Sequence, residues 1–184
     1  ELAPEWPQAH FALADALQSA GRRDEAVAAY AAYLARDPED AMGAAIRLAL
    51  LGAAPQPPRL PDAYVRTLFD QYAARFEESL VGRLSYQAPF QLRAAVDALA
   101  PAAAPVGRLL DLGCGTGLAG EAFRNRAAWL EGVDLSPAMV AAARRKGIYD
   151  RLDVGDAVAA LAAARQRFDI VVAADVVVYV GDLA

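Results

Sequence analysis

The sequence predicts an α/β protein, a doubly wound and mostly parallel sheet preceded by an α-helical segment. Three observations carry this reading. Strand-like and helix-like apolar patterns alternate from residue 108 onward, the signature of helices packed on both faces of a parallel sheet. Leu109-Leu110-Asp111-Leu112 runs into Gly113-Cys114-Gly115-Thr116-Gly117, and strand, glycine turn and helix together offer backbone N–H groups to a ligand. The first third shows helical spacing only and is set apart by a proline-rich stretch.

Composition narrows the classes. The 184 residues are 57% apolar and 22% charged, enough to bury a core and too apolar for disorder. A net charge of −5 gives no footprint for nucleic acid or an anionic membrane. The single cysteine, Cys114, excludes an internal disulfide and a cysteine-rich zinc site, and fits a cytoplasmic setting. No apolar run reaches membrane length, and no metal site is expected.

Residues 1–51 read as helices. Leu13, Leu17, Ala26, Tyr30 and Tyr33 have helical spacing, Gly21 separates two helices, Pro38 stops the second, and Ala41–Leu51 reads as a third. With Leu13-Ala14, Leu17, Gly21, Ala26, Tyr30 and Pro38 in place, this segment resembles one tetratricopeptide repeat, although His10 stands at the expected tryptophan position. His10 is expected to pack, not to catalyse. A partner-binding or self-association surface and a purely structural extension are equally open. Residues 52–61 hold four prolines in ten positions and read as a linker.

Residues 62–184 read as the second domain. Asp62 can cap a helix whose stripe is Tyr64, Val65, Leu68, Phe69, Tyr72, Phe76 and Leu80, with Asp70 among the residues of its polar face. Ser85–Ala88 breaks it, and a second helix starts at Pro89 and ends at Pro101–Pro105. These two lid helices, within 62–100, are long enough to fold over the ligand mouth of the sheet, with Tyr72 or Tyr86 reaching the pocket. The core, 106–184, predicts strands at Arg108–Leu112, Trp129–Asp134, Ile148–Val154 and, buried, Phe168–Ala174. Helices are predicted at Leu118–Arg126, Pro137–Lys146 and Ala157–Arg165. Ser136 caps the middle helix with Pro137 at its first position, and Gly147 closes it. Arg144, Arg145 and Lys146 complement its dipole.

The acids converge on the glycine turn. Ligands of such sheets bind outside the carboxyl ends of the strands. Asp134 ends the second strand, 21 positions after Gly113, where an acid accepts hydrogen bonds from a ribose diol. Asp156 follows the third strand and Asp175 the fourth. Asp156 is equally read as a helix cap and Asp175 as a turn residue. The glycine spacing departs from the dinucleotide pattern, and Asp111 puts an acid at the loop, which suits an ammonium or sulfonium ligand better than a pyrophosphate; Asp111 is equally read as a residue that satisfies backbone amides of the turn.

At LLDLGCGTG, GVDLSPAMVAAAR, GDAV and FDIVVAADVVVYV the chain resembles the class I S-adenosylmethionine-dependent methyltransferases. The resemblance runs from Gly107 to Leu183. FDQYAARFEESLVGRLSYQAP further resembles a bacterial group of predicted methyltransferases with a tetratricopeptide segment in front. The resemblance implies a Rossmann-like fold and S-adenosyl-L-methionine as cofactor. It places Gly113, Cys114 and Gly115 against the methionine part and Asp134 on the ribose hydroxyls. Leu135 and Met139 would lie beside the adenine, Asp156 and Ala157 on its edge, and Asp175 near the methionine end. Cys114 would act through its backbone only. No general base is assigned; Asp175 and Tyr179 are candidates by location. The amide-type N/D-P-P-Y signature is absent at AADVVVY, which points to a small-molecule acceptor. The alternative reading is a helical-repeat adaptor with a cofactor-binding, non-catalytic fold; a nicotinamide dehydrogenase is disfavoured by the glycine spacing. Family members have seven strands and four are read here, so the natural protein is expected to continue beyond Ala184, and this piece alone is expected to bind cofactor weakly.

Overall fold

A computed structural model describes residues 5–99 and 106–180. The predicted break at Pro101–Pro105 and the end of the resemblance at Leu183 lie outside the described residues. The chain forms two compact units, divided after Thr67.

The first unit contains α1 (Pro7–Ser19), α2 (Arg23–Leu34) and α3 (Ala44–Leu50). Its core joins Phe11, Ala14 and Leu17 of α1 to Ala26, Ala29, Tyr30 and Tyr33 of α2 and Ala44 and Leu48 of α3. The stripe on α1 therefore starts at Phe11; Leu13, predicted inside, is exposed. Phe11 meets Tyr30 and Tyr33 edge-on, each at 5.4 Å between ring centroids, the geometry aromatic quadrupoles favour. The buried hydroxyls are satisfied. Tyr30 donates to Asp15 and Gln18, and Tyr33 donates to Asp37 while accepting from the Met42 amide. The third helix begins at Ala44, not Ala41. Gly43 stands in the left-handed region (φ 78), and buried Asp40 accepts from the Ala44 and Ala45 amides at 2.6 and 2.9 Å, a cap that fixes the start.

Helix α4 (Asp62–Tyr72) is followed by a tight turn at Ala73–Arg75 and a wide π turn at Glu78–Arg83, then by α5 (Ala88–Leu99). The uninterrupted stripe predicted to Leu80 is thus broken. Winding changes of this kind re-aim side chains and recur at functional sites.

Among the described residues the second unit holds four parallel strands, β1 (Val106–Leu112), β2 (Ala127–Asp134), β3 (Arg151–Val154) and β4 (Ile170–Val172), in the order β3-β2-β1-β4. Helices α6 (Leu118–Phe123), α7 (Pro137–Lys146) and α8 (Ala157–Ala163) follow the first three strands. The core gathers Leu109, Leu130 and Val172 from the sheet with Ala119 and Phe123 of α6 and Ala127. This is the predicted parallel α/β arrangement with corrected bounds. Helix α6 stops at Phe123, and Arg126 is instead a buried turn residue paired with Asp97 of α5. β2 starts earlier, at Ala127. β3 starts at Arg151, because Asp150 turns its carboxylate onto the Leu130 amide and Arg124. Helix α8 stops at Ala163. β4 is three residues long, with Val171 45% exposed, so it is not the buried strand predicted; Asp169 is used to accept from the Arg108 amide at 2.7 Å. Among the described residues no helix is long and apolar enough to cross a membrane.

Candidate cofactor site

The site is built on the turn between β1 and α6. Gly113, Gly115 and Gly117 all have positive φ (61, 52 and 93), where a side chain is strained. Space is a second constraint. A Cβ on Gly113 would sit 1.9 Å from the Cγ2 of Val176, beyond β4, and one on Gly115 would touch the Phe76 ring at 3.7 Å. The turn is tied to the end of β2 by two hydrogen bonds, and a third ties the end of β2 to the start of α7. The Cys114 amide donates to the Val133 carbonyl at 3.0 Å. The Gly115 amide donates to Asp134 Oδ2 at 2.9 Å, and the Ser136 amide donates to Asp134 Oδ1 at 2.8 Å.

Asp134 therefore spans the turn and the start of α7. Each of its oxygens accepts one amide and retains a second lone-pair direction, the capacity a ribose diol needs. Burial pushes its carboxyl upward, against the two amides that favour the charge. Among the described residues no group of acids, histidines and cysteines could hold a metal.

The other predicted residues fall out unevenly. Asp111 is 1% exposed, so it is not at the loop mouth. It lies beneath the turn and accepts from the Tyr149 hydroxyl at 2.6 Å. Burial pushes it up to about 7, helped by Asp134 and opposed by Tyr149 and the Gly120 amide. Cys114 is buried, and burial raises its thiol pKa, so no thiolate nucleophile is present. Leu135 is half-buried beside Asp134, whereas Met139 is wholly buried on α7 and offers no surface here. Asp156 caps α8 by accepting from the Ala159 amide at 2.8 Å, with Ala157 as the first helical residue. Asp175 is exposed with φ 56 and accepts from the Tyr86 hydroxyl. Tyr72 packs edge-on to Phe76 at 5.7 Å, the ring that a Cβ on Gly115 would touch. Tyr179 packs edge-on to Phe69 at 5.3 Å. A cavity of about 450 Å³ lies between α8 and the sheet; it includes Gly155 and Asp156 and no residue of the glycine turn.

Three residues escaped the sequence reading. Asp70, placed on a polar face, accepts from the Ser136 hydroxyl at 2.5 Å and the Ala138 amide at 3.1 Å, joining the end of α4 to the start of α7. Lys146 is more than a dipole partner, since it bridges Glu77 at 2.7 Å and Glu121 at 2.8 Å. Burial raises the Glu77 carboxyl, but Lys146 and the Thr116 hydroxyl together outweigh it and the net shift is downward. The third is Tyr149. Its signal was Gly120 and Gly132, glycines inside an element that no turn requires, which mark a close neighbour.

Residues 109–183 match the family model described as a methyltransferase domain. A segment of 78 residues is 38% identical to the ubiquinone biosynthesis O-methyltransferase of Rhodopseudomonas palustris (strain BisA53), covering 41% of this chain and 31% of that protein. The chain thus spans under a third of the length of that curated relative. The crystal structure of magnesium protoporphyrin IX methyltransferase from Synechocystis PCC 6803 with bound S-adenosylmethionine superposes with a TM-score of 0.52 at 21% identity, covering 64% of this chain and 63% of that one. The fold is the Rossmann-like fold of that enzyme.

Proposed function

We propose that this chain carries the cofactor-binding core of an S-adenosylmethionine-dependent methyltransferase that methylates an oxygen of a small molecule. The observation that supports this most is Asp134, stapled across a turn of three positive-φ glycines with acceptor capacity to spare. The match of residues 109–183 to a methyltransferase domain supports it independently, and the similarity to an O-methyltransferase supports oxygen as the acceptor atom.

In this reading Asp134 takes the ribose hydroxyls. Leu135, Asp156 and Ala157 line the adenine, and the backbone of Gly113, Cys114 and Gly115 takes the methionine part. The cofactor supplies a methyl group already activated on sulfonium. The protein's share is to position and desolvate. Asp175, with Tyr86 on its carboxylate, is the candidate to receive the proton of a hydroxyl acceptor, with Tyr179 the other. The three-helix segment before Gly52 is read as a tetratricopeptide-like partner surface, the proline-rich 52–61 as a linker, and the setting as cytoplasmic.

Calorimetric titration of S-adenosylmethionine, S-adenosylhomocysteine and NAD against wild type and Asp134→Ala tests the proposal. Both adenosyl ligands should bind wild type, and Asp134→Ala should weaken them by about a hundredfold, the loss of two hydrogen bonds to a charged group. Binding of NAD alone would sink the reading. Binding without methyl transfer to any extract component by the full-length protein would favour the adaptor alternative.

A further inference from the structure

Tyr149 lies between α7 and β3, outside every motif that marks the cofactor site. Its ring nevertheless touches three of the elements that shape that site. A Cβ on Gly117, at the end of the turn, would come 3.2 Å from the Tyr149 Cε2. One on Gly120 of α6 would lie 2.3 Å from the hydroxyl oxygen, and one on Gly132 of β2 would lie 2.8 Å from Cε1. Gly132 is the register neighbour of Asp111. The missing side chain at Gly132 lets the ring lie across β2, so that its hydroxyl reaches Asp111 Oδ2 on β1 at 2.6 Å.

We infer that Tyr149 is a positioning residue for the cofactor's glycine turn: its ring sets the spacing of the turn, α6 and β2, and its hydroxyl holds the Asp111 carboxyl beneath the turn. This rests on the reading of the turn as an adenosyl-cofactor site. The hydroxyl is neutral, since burial and the Asp111 charge both raise its pKa, so it donates and Asp111 accepts. The titratable and charged groups around Asp111 are few. Asp134 lies at the end of β2, Cys114 in the turn, Tyr86 in the lid segment and Tyr149 before β3. Lys146 of α7 is committed to Glu77 and to Glu121 of α6. The Tyr149 hydroxyl is thus the side-chain donor that favours a charged Asp111, and a charged Asp111 favours a cationic ligand on the other side of the turn.

The experiment is the affinity of S-adenosylmethionine, by calorimetry from pH 5.5 to 8.5, for wild type, Tyr149→Phe and Asp111→Asn. Circular dichroism checks each fold; Phe keeps the ring. Wild-type affinity should rise through about pH 7. Tyr149→Phe should move that midpoint up by about one to two pH units, the worth of one hydrogen bond to an ionised acceptor. Binding at pH 7 should then weaken by about fivefold or more. Asp111→Asn should abolish the rise through about pH 7. A Tyr149→Phe profile that overlays wild type, or an Asp111→Asn profile that keeps the midpoint, overturns the inference. Should Tyr149→Phe not fold, Gly120→Ala takes its place, because its Cβ would fall 2.3 Å from the Tyr149 hydroxyl and push it off Asp111, and a profile that overlays wild type overturns the inference. Failure of wild type to bind at any pH overturns the cofactor reading and this inference with it, and is visible in the wild-type arm alone.

Discussion

Replacing Asp111 by Asn should change how stability depends on pH. In the folded protein Asp111 keeps its proton up to about pH 7, because burial disfavours the charge, whereas the reference carboxyl releases it near 3.8. The folded state therefore binds more protons than the unfolded state between those values. The stability this gives is complete below about pH 4, declines as pH rises, and is gone above about pH 7. Roughly three units at 1.36 kcal/mol each amount to about 4 kcal/mol. The Asn variant has no such term. It leaves amide donors in a buried site at a cost of about 1–3 kcal/mol, which does not vary with pH. The difference in stability, wild type minus variant, should thus fall by about 4 kcal/mol between pH 4 and 8. Asp40 and Asp134 are also shifted upward, but both remain in the variant and cancel. The assay is urea unfolding at several pH values, followed by Trp129 of β2 in a Trp6→Phe background, with midpoints converted through a common slope. A difference that stays constant across the range would refute the placement of a charge-averse carboxyl beneath the turn.

Gly120→Ala should cost about 1–3 kcal/mol by overpacking, since its Cβ would fall 2.3 Å from the Tyr149 hydroxyl; an unchanged melting temperature would contradict that contact. Lys146→Met removes two ion pairs with half-exposed partners, each worth under about 1 kcal/mol. Melting should hold still while amide exchange quickens over residues 73–86, and unchanged exchange there would count against the bridge to Glu77. Cys114 should react with a thiol reagent only as fast as the protein opens, so native-state labelling at the rate of a free thiol would disprove its burial.

What could be read from the sequence was what local geometry dictates. The turn from Leu109 to Gly117, the Ser136–Pro137 start and the Gly147 end of α7 depend on residues adjacent in the chain, and all are found where predicted. Asp134 is legible because a strand end fixes its place relative to the turn. Long-range choices were not. An apolar run such as Phe168–Ala174 does not say whether its strand is an edge, and β4 pairs only with β1 among the described strands. A polar face does not say whether it meets water or a helix start, and Asp70 meets the latter. The helical period cannot anticipate the changes of winding after Tyr72, which bring Phe76 to Gly115 and Glu77 to Lys146.

The Tyr149 ring also makes the effects of substitutions depend on their order. With the ring in place, a methyl at position 120 or 132 collides with it. Once residue 149 is small, the same methyl fills part of the space the ring vacated, and the penalty should shrink or change sign. Gly120, Gly132 and Tyr149 form one non-additive unit. A lineage that loses the tyrosine first gains either side chain at a smaller cost than one that gains the side chain first.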